Sequence, residues 1–478
     1  MSQQESKMNR RQLLKTTAAI GGAAIVGPFF PGRVLGANDR VNVAVIGIRG
    51  QGGAHITNYI RQPNVQLKTL CDIDENLFAT RIKKIHDEAG YAPGTEWEMR
   101  KVFEDKDIHA VSFAIPNHWH ALATIWAAQA GKHVYVEKPC CQTIFEGRQM
   151  VHAARQNKVL VQAGFQNRSR NNTRAAIEYL HSGKLGKVYM AKGLCLKARA
   201  DIGRYPDGPM PEGSKFRLTT DGEPMEPFTS AYLEKVHYDN WMGPAPVKPF
   251  NPNRFHYNWH WQWDYGNGDT GNQGPHQFDV GRWGLNKDEY PVKISSKGGY
   301  YLFDSMQETP NTQTTLLEYA DGTLFQFETR GWYTNADGTL KIGNIFYGKE
   351  GRLEIDGEGN WKTYFGRKDE LGPDSSKVPS EERSDAGKHV GTGMGGHFSN
   401  FISAVRSGKQ TDLNCDIESG FRSSVLPALG NIAYRMGTDL IFDGKTESFK
   451  GNAKANAFLH RKERKGYAIP RLGKTGIV

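Results

Sequence analysis

The sequence predicts an α/β chain of two domains: a doubly wound parallel sheet first, then an α+β domain on a mainly antiparallel open sheet. Three observations carry this. Short apolar runs alternate with helical patterns up to residue 165, the order that builds a parallel sheet. The alternation then stops, and successive strand-like runs joined by turns follow. At 478 residues the chain exceeds what one core usually supports.

Before the first strand stands a different kind of segment. Residues 1–37 begin with a charged stretch holding Arg10 and Arg11. A modest Ala/Gly-rich apolar run follows, then small residues at Gly36 and Ala37. That is the layout of a signal peptide, too short and glycine-broken for a spanning helix. Asn9 to Lys15, NRRQLLK, is similar to the twin-arginine motif. The expectations are folding in the cytoplasm, a twin-arginine translocase as partner, and a periplasmic or exported destination.

Residues 38–165 read as a nucleotide-binding unit. VNVAVIG (41–47) is an apolar strand that runs into Gly47, Arg49, Gly50, Gln51 and Gly52, with a helix behind. Strand, glycine turn and helix start form the opening of a Rossmann domain. There the backbone approaches a pyrophosphate and the helix N-terminus offers amide donors. Arg49 occupies the place of the second glycine of the usual pattern. The next strand (65–72) ends in Asp72, placed to bind the hydroxyls of an adenosine ribose or to cap the helix after it. Ile73 and Asp74 follow, with no arginine for a 2′-phosphate, so NAD is expected rather than NADP. Strands at 109–115, 133–137 and 159–165 alternate with helices at 117–131 and 144–157. Ligands sit at the carboxyl ends of such strands. The stretch VEKP (136–139) ends one of them, so Lys138 faces the cofactor crevice, and Pro139 is a candidate cis proline.

Residues 166–444 supply strands at 188–198, 290–303, 313–320, 322–329 and 341–348, with helices at 397–408 and 418–437. Residues 240–285 concentrate Trp241, Trp259, Trp261 and Trp263 with Arg254, His256 and His260. Aromatic faces beside polar donors suit the apolar face and polar rim of a sugar or cyclitol. A tryptophan-rich core is the competing reading.

The formal net charge is +10. Residues 1–37 hold five basic residues and one acidic, and the tail 445–478 holds nine and two, so the body between is close to neutral. Nucleic acid is therefore not an expected partner. The tail is expected to be a docking arm or a solvated end. Five cysteines without regular spacing argue against a disulfide framework, and no H-x-x-x-H or H-E-x-x-H spacing suggests a metal site.

Together the glycine turn at 47–53, Asp72, PNHWHA (116–121), VEKP (136–139) and the Q-x-R of Gln166–Arg168 resemble the Gfo/Idh/MocA oxidoreductases. Asn272 to Asp279 is similar to that family's D-x-G-x-H-x-x-D pattern, with asparagine in place of the first acid. The resemblance implies a catalytic set of Lys138, His276 and Asn272. It adds Pro116, Asn117, His120, Glu137 and Gln166 to the cofactor contacts. For the substrate it and the aromatic segment point to Arg168, Arg254, His256, Trp263 and Asp279. It also implies a carbohydrate or cyclitol substrate and a homo-oligomer formed through the second sheet. The chemistry implied is hydride transfer from a secondary hydroxyl. Alternatives are glycoside cleavage through transient oxidation with recycled NAD, and a non-catalytic carbohydrate-binding protein.

Overall fold

The computed structural model describes residues 40–214, 216–217, 224–225, 227–333, 340–378 and 394–474. The expected signal segment lies outside them.

The first sheet is parallel throughout, in the order β3-β2-β1-β4-β5-β6. Its strands are β1 (Val41–Ile46), β2 (Val65–Cys71), β3 (Gly94–Glu96), β4 (Ala110–Phe113), β5 (His133–Glu137) and β6 (Val161–Gly164). Order reverses between β1 and β4, so a crevice opens beyond their carboxyl ends. β4 is buried at every position and β1 at all but Asn42, as strands covered on both faces must be.

The second sheet has ten strands, β16-β15-β14-β13-β7-β12-β11-β10-β17-β18. They are β7 (Val188–Cys195), β10 (Lys293–Gly299), β11 (Thr312–Glu318), β12 (Leu324–Arg330), β13 (Ile342–Gly348), β14 (Gly351–Asp356), β15 (Trp361–Phe365), β16 (Glu370–Asp374), β17 (Leu440–Asp443) and β18 (Ser448–Phe449). All neighbours are antiparallel except β7 and β12. A hairpin of β8 (Phe216–Arg217) and β9 (Pro224–Met225) stands apart. β11 and β12 alternate buried and accessible residues, the signature of a sheet covered on one face.

The helix Ile417–Met436 packs between the two sheets, and small residues let it come close. A side chain at Gly420 would lie 2.2 Å from Ala163 Cβ, and one at Gly430 would lie 2.7 Å from Thr315 Oγ1. One apolar cluster consequently runs from β4 and β5 through this helix to β10, β11 and β12.

Two segments depart from the sequence reading. The helix Met394–Ser407, read as part of the second domain, covers the first sheet: Phe398 stacks on Tyr135 at 4.5 Å, and Phe401 and Ile402 join the β1 core. The tail packs over its own first domain through residue 474. Arg461 bonds the His118 carbonyl oxygen at 2.5 Å, Tyr467 meets Trp119 edge to face, and the Leu472 amide donates to Gln149. All five cysteines are free and buried.

Candidate active site

A cleft of about 1130 Å³ follows the carboxyl ends of β1, β2, β4 and β5 and is roofed by residues 232–276. It begins at the glycine turn. Gly47 has φ +82°, and a side chain there would meet the Ala114 carbonyl oxygen at 2.5 Å. A Cβ at Gly50 would meet nothing within 4 Å beyond the local backbone, whereas at Gly52 a Cβ would sit 1.8 Å from the Gly47 oxygen. The glycines thus keep the turn tight on one side and open on the other. No side chain caps the helix Gly50–Ile60, which leaves its first amides for a ligand.

Asp72 stands at the end of β2. Its carboxylate accepts from the Ile48 amide (2.8 Å) and the Asp74 amide (3.0 Å), so it braces the glycine turn as well as facing the cleft. Burial pushes its pKa up to about 6 despite these donors. A dinucleotide fits this cradle: an open backbone for the pyrophosphate and a carboxylate for the ribose diol.

At the far end of the cleft a strap from the second domain is fastened to the edge of the first sheet. The Glu75 amide donates to the Lys235 carbonyl (2.9 Å) and the His237 amide to the Ile73 carbonyl (2.8 Å), with Asp74 and Val236 in a β-bridge between them. Buried Asp74 accepts the Tyr232 hydroxyl at 2.6 Å and pairs with His256 Nε2 at 2.9 Å. Burial lowers His256 to about 4, and its hydrogen bond to Asp74 only partly opposes this. The neutral ring therefore donates Nε2–H to the carboxylate. His237 stacks on Trp97 at 3.9 Å.

At the other end Lys138 follows β5 through a cis bond to Pro139. Its Nζ donates to the Asn272 carbonyl oxygen (2.7 Å) and Oδ1 (3.2 Å). An ammonium has three donors, so one remains for the cleft. Burial lowers the Lys138 pKa, opposed by the Glu137 carboxylate and reinforced by the Lys197 cation. Asn272 in turn donates to the Tyr257 hydroxyl (3.3 Å), which also accepts from Arg199 (3.2 Å). Arg199 grips buried Asp269 through Nε at 2.9 Å.

His276 lies on the helix Gly274–Gly284, and among the described residues its ring has no hydrogen-bond partner. Burial first, then the Lys138 cation, pull it down to about 3, which keeps it neutral. His260 stacks on Trp259 at 3.6 Å and donates Nδ1–H to the Tyr257 carbonyl oxygen at 2.6 Å. Its Nε2 is then left as an acceptor.

Of the residues singled out from sequence, Gly47, Arg49, Gly50, Gln51, Asp72, Pro116, Asn117, His120, Glu137, Lys138, Asn272 and His276 line the cleft. Gly52 and Gln166 do not, and each acts from behind. Gly52 permits close packing, and Gln166 donates to Glu137 Oε1 at 2.8 Å. Glu137 also pairs with His55 (3.1 Å) and accepts from Gln51 (3.2 Å), which ties the glycine turn to VEKP.

The expected substrate residues fare differently. Arg168 and Asp279 form a bidentate pair behind the wall, completed by the Ser423 hydroxyl on Asp279. Arg254 is turned to Asp207 at 2.8 Å, and Trp263 lies in a separate cavity beneath Arg435. His256 reaches the cleft, but at the Asp74 end. Of the four tryptophans only Trp241 and Trp259 line it, and Trp261 is buried against Arg199. Sequence reasoning missed Lys197, Tyr257, Gln273 and the Asp269–Arg199 pair. An acid three residues before Asn272, Asp269, was the signal available for the last.

Residues 41–165 match the oxidoreductase family with an NAD-binding Rossmann fold, and residues 222–337 and 393–469 match its C-terminal α/β domain. The chain belongs to this family. NAD is accordingly its cofactor, and the open turn at Gly50 and the Asp72 carboxylate fit it. The levoglucosan dehydrogenase of Pseudarthrobacter phenanthrenivorans is 29% identical over 178 residues, 36% of this chain and 44% of that one. A glycosyl hydrolase family 109 protein of Shewanella pealeana is 29% identical over 170 residues, 31% of this chain and 37% of that one. The chain thus spans less than half the length of these relatives. The WlbA dehydrogenase of Chromobacterium violaceum, solved with NADH and UDP-GlcNAcA, shares the fold: TM-score 0.60, 17% identity, covering 86% of this chain and 98% of that one.

Proposed function

We propose that the protein is an exported, NAD-dependent oxidoreductase that acts on a secondary hydroxyl of a sugar, glycoside or cyclitol. One observation carries the reading. A lysine with one undirected N–H and a neutral histidine with no hydrogen-bond partner among the described residues both open onto the end of a cleft built for a dinucleotide. NAD, when bound, supplies the two-electron acceptor. His276 takes the hydroxyl proton as the carbon gives up its hydride, and Lys138 steadies the oxygen as negative charge develops. Asn272 aims Lys138 without neutralising it. Relatives that include a levoglucosan dehydrogenase support a carbohydrate substrate.

The strap favours a second reading within the same chemistry. Tyr232, His256 and the 235–237 bridge fasten a strap beside the Asp72 end of the cleft; a strap that must move for cofactor exchange would retain NAD, which suits a cycle that re-reduces its own intermediate. A family 109 glycosyl hydrolase among the relatives supports it. The twin-arginine pattern at Arg10–Arg11 supports export after folding, since that route carries a cofactor-loaded protein. The outer face of the second sheet, with exposed Leu316 and Ile441, is the surface for a homo-oligomer.

Purified protein incubated with a glycoside panel tests both readings. NADH accumulating with a ketosugar supports the dehydrogenase. Aglycone release without net NADH supports the recycling enzyme. Absence of both outcomes on every sugar refutes the proposal.

A further inference from the structure

The substrate end of the cleft holds two lysines, Lys138 and Lys197, and its lining acid there is Glu137. The nearest carboxylates are already paired: Asp269 with Arg199, and Glu137 with His55, Gln51 and Gln166. Asn272 gives Lys138 a carbonyl and an amide oxygen where an acid would have balanced its charge. Lys197, two residues beyond β7, is exposed into the cleft, and among the described residues it has no ion-pair or hydrogen-bond partner. Its charge acts on Lys138 and helps lower that group's pKa. Two cations facing one cavity repel each other unless an anion enters between or beside them.

Resting on the oxidoreductase reading, we propose that the substrate carries a carboxylate, as a uronic acid or uronide does, and that Lys197 receives it while Lys138 binds the reacting hydroxyl. A carboxylate fits better than a phosphate. One flexible ammonium offers a single charge, whereas phosphate recognition gathers several donors or an arginine fork. The anion also matters to the chemistry. Burial is the first cause of the weak basicity of His276, but the anion offsets the second, the Lys138 cation, and so raises the ring's affinity for the proton it must accept.

The test compares matched pairs, each uronide with its parent hexoside, on the NAD-loaded protein. Turnover and calorimetric binding are measured for wild type, Lys197→Met and Lys197→Glu. The uronide is expected to be favoured about 10–100-fold in kcat/KM, the scale of a charge-assisted hydrogen bond. Lys197→Met should erase the preference mainly through KM, Lys197→Glu should invert it, and added salt should shrink it. Equal handling of both partners in every pair, or a preference that survives Lys197→Met, overturns the assignment. Turnover of hexosides without preference refutes the carboxylate but leaves the oxidoreductase. Lys197-dependent uronide binding without turnover supports this site and refutes the oxidoreductase reading.

Discussion

Tyr232→Phe is expected to speed NAD release without disturbing the catalytic end. The Tyr232 hydroxyl donates at 2.6 Å to Asp74, a carboxylate with no exposed surface, and this bond fastens the strap to the edge of the first sheet. A hydrogen bond to a charged group contributes about 1.5–3 kcal/mol. If release requires the strap to open, losing the bond lowers that barrier by the same amount. At about 1.4 kcal/mol per decade the off-rate should rise about 10- to 150-fold. His256 still holds Asp74 in the variant, so the strap is loosened rather than lost. Displacement of bound NADH, followed by fluorescence, gives the rate, and a melting curve gives stability. An off-rate equal to wild type in a folded variant would show that the strap does not gate the cofactor, and the recycling reading would lose its structural support.

Acid should destabilise the fold early. Burial holds His118 and His276 at about 3, and His133, His256 and His397 at about 4. Their unfolded pKa is about 6.5. A depressed folded value means stability is fully present above that pH and lost as pH falls from it toward about 4. Each histidine contributes up to about 1.4 kcal/mol per pH unit, so the melting temperature should drop steeply between about pH 6.5 and 5, and a flat profile would contradict the assignment. Asp72→Ala should weaken NAD binding about tenfold or more. Because the Ile48 and Asp74 amides lose their acceptor, it should also lower the melting temperature, and calorimetry of both quantities checks this. Arg10→Lys with Arg11→Lys should leave folded protein in the cytoplasm, and normal export on cell fractionation would refute the twin-arginine proposal.

Much of this architecture is local enough to read from sequence. The first sheet alternates apolar strands with amphipathic helices, and the order of those elements leaves little topological choice. VEKP and the glycine turn are legible because each is a backbone device confined to a few residues. The substrate wall is not. Residues 240–263 announce aromatic rings, but which ring faces a ligand depends on packing against distant elements: Trp261 goes under Arg199, and Trp263 under Arg435. Arg168 and Asp279 look functional because they are charged and flank the motif, yet they neutralise each other behind it. The helix Met394–Ser407 has a clear helical pattern, but only its contacts with Tyr59 and Tyr135 show that it covers the first sheet. The strap is likewise invisible until Asp74 and Val236 are brought together.

Lys138→Ala decides whether Lys138 and His276 form the reacting pair. Bound NAD, melting temperature and turnover should be measured on one preparation. Retained NAD, a stable fold and turnover reduced about 10²- to 10⁴-fold are expected, the usual contribution of a positioned proton-handling group. Lys138→Arg should give no rescue, since the larger planar fork cannot take the same place against Asn272. Near-normal turnover in a folded, NAD-loaded Lys138→Ala protein would contradict that pairing.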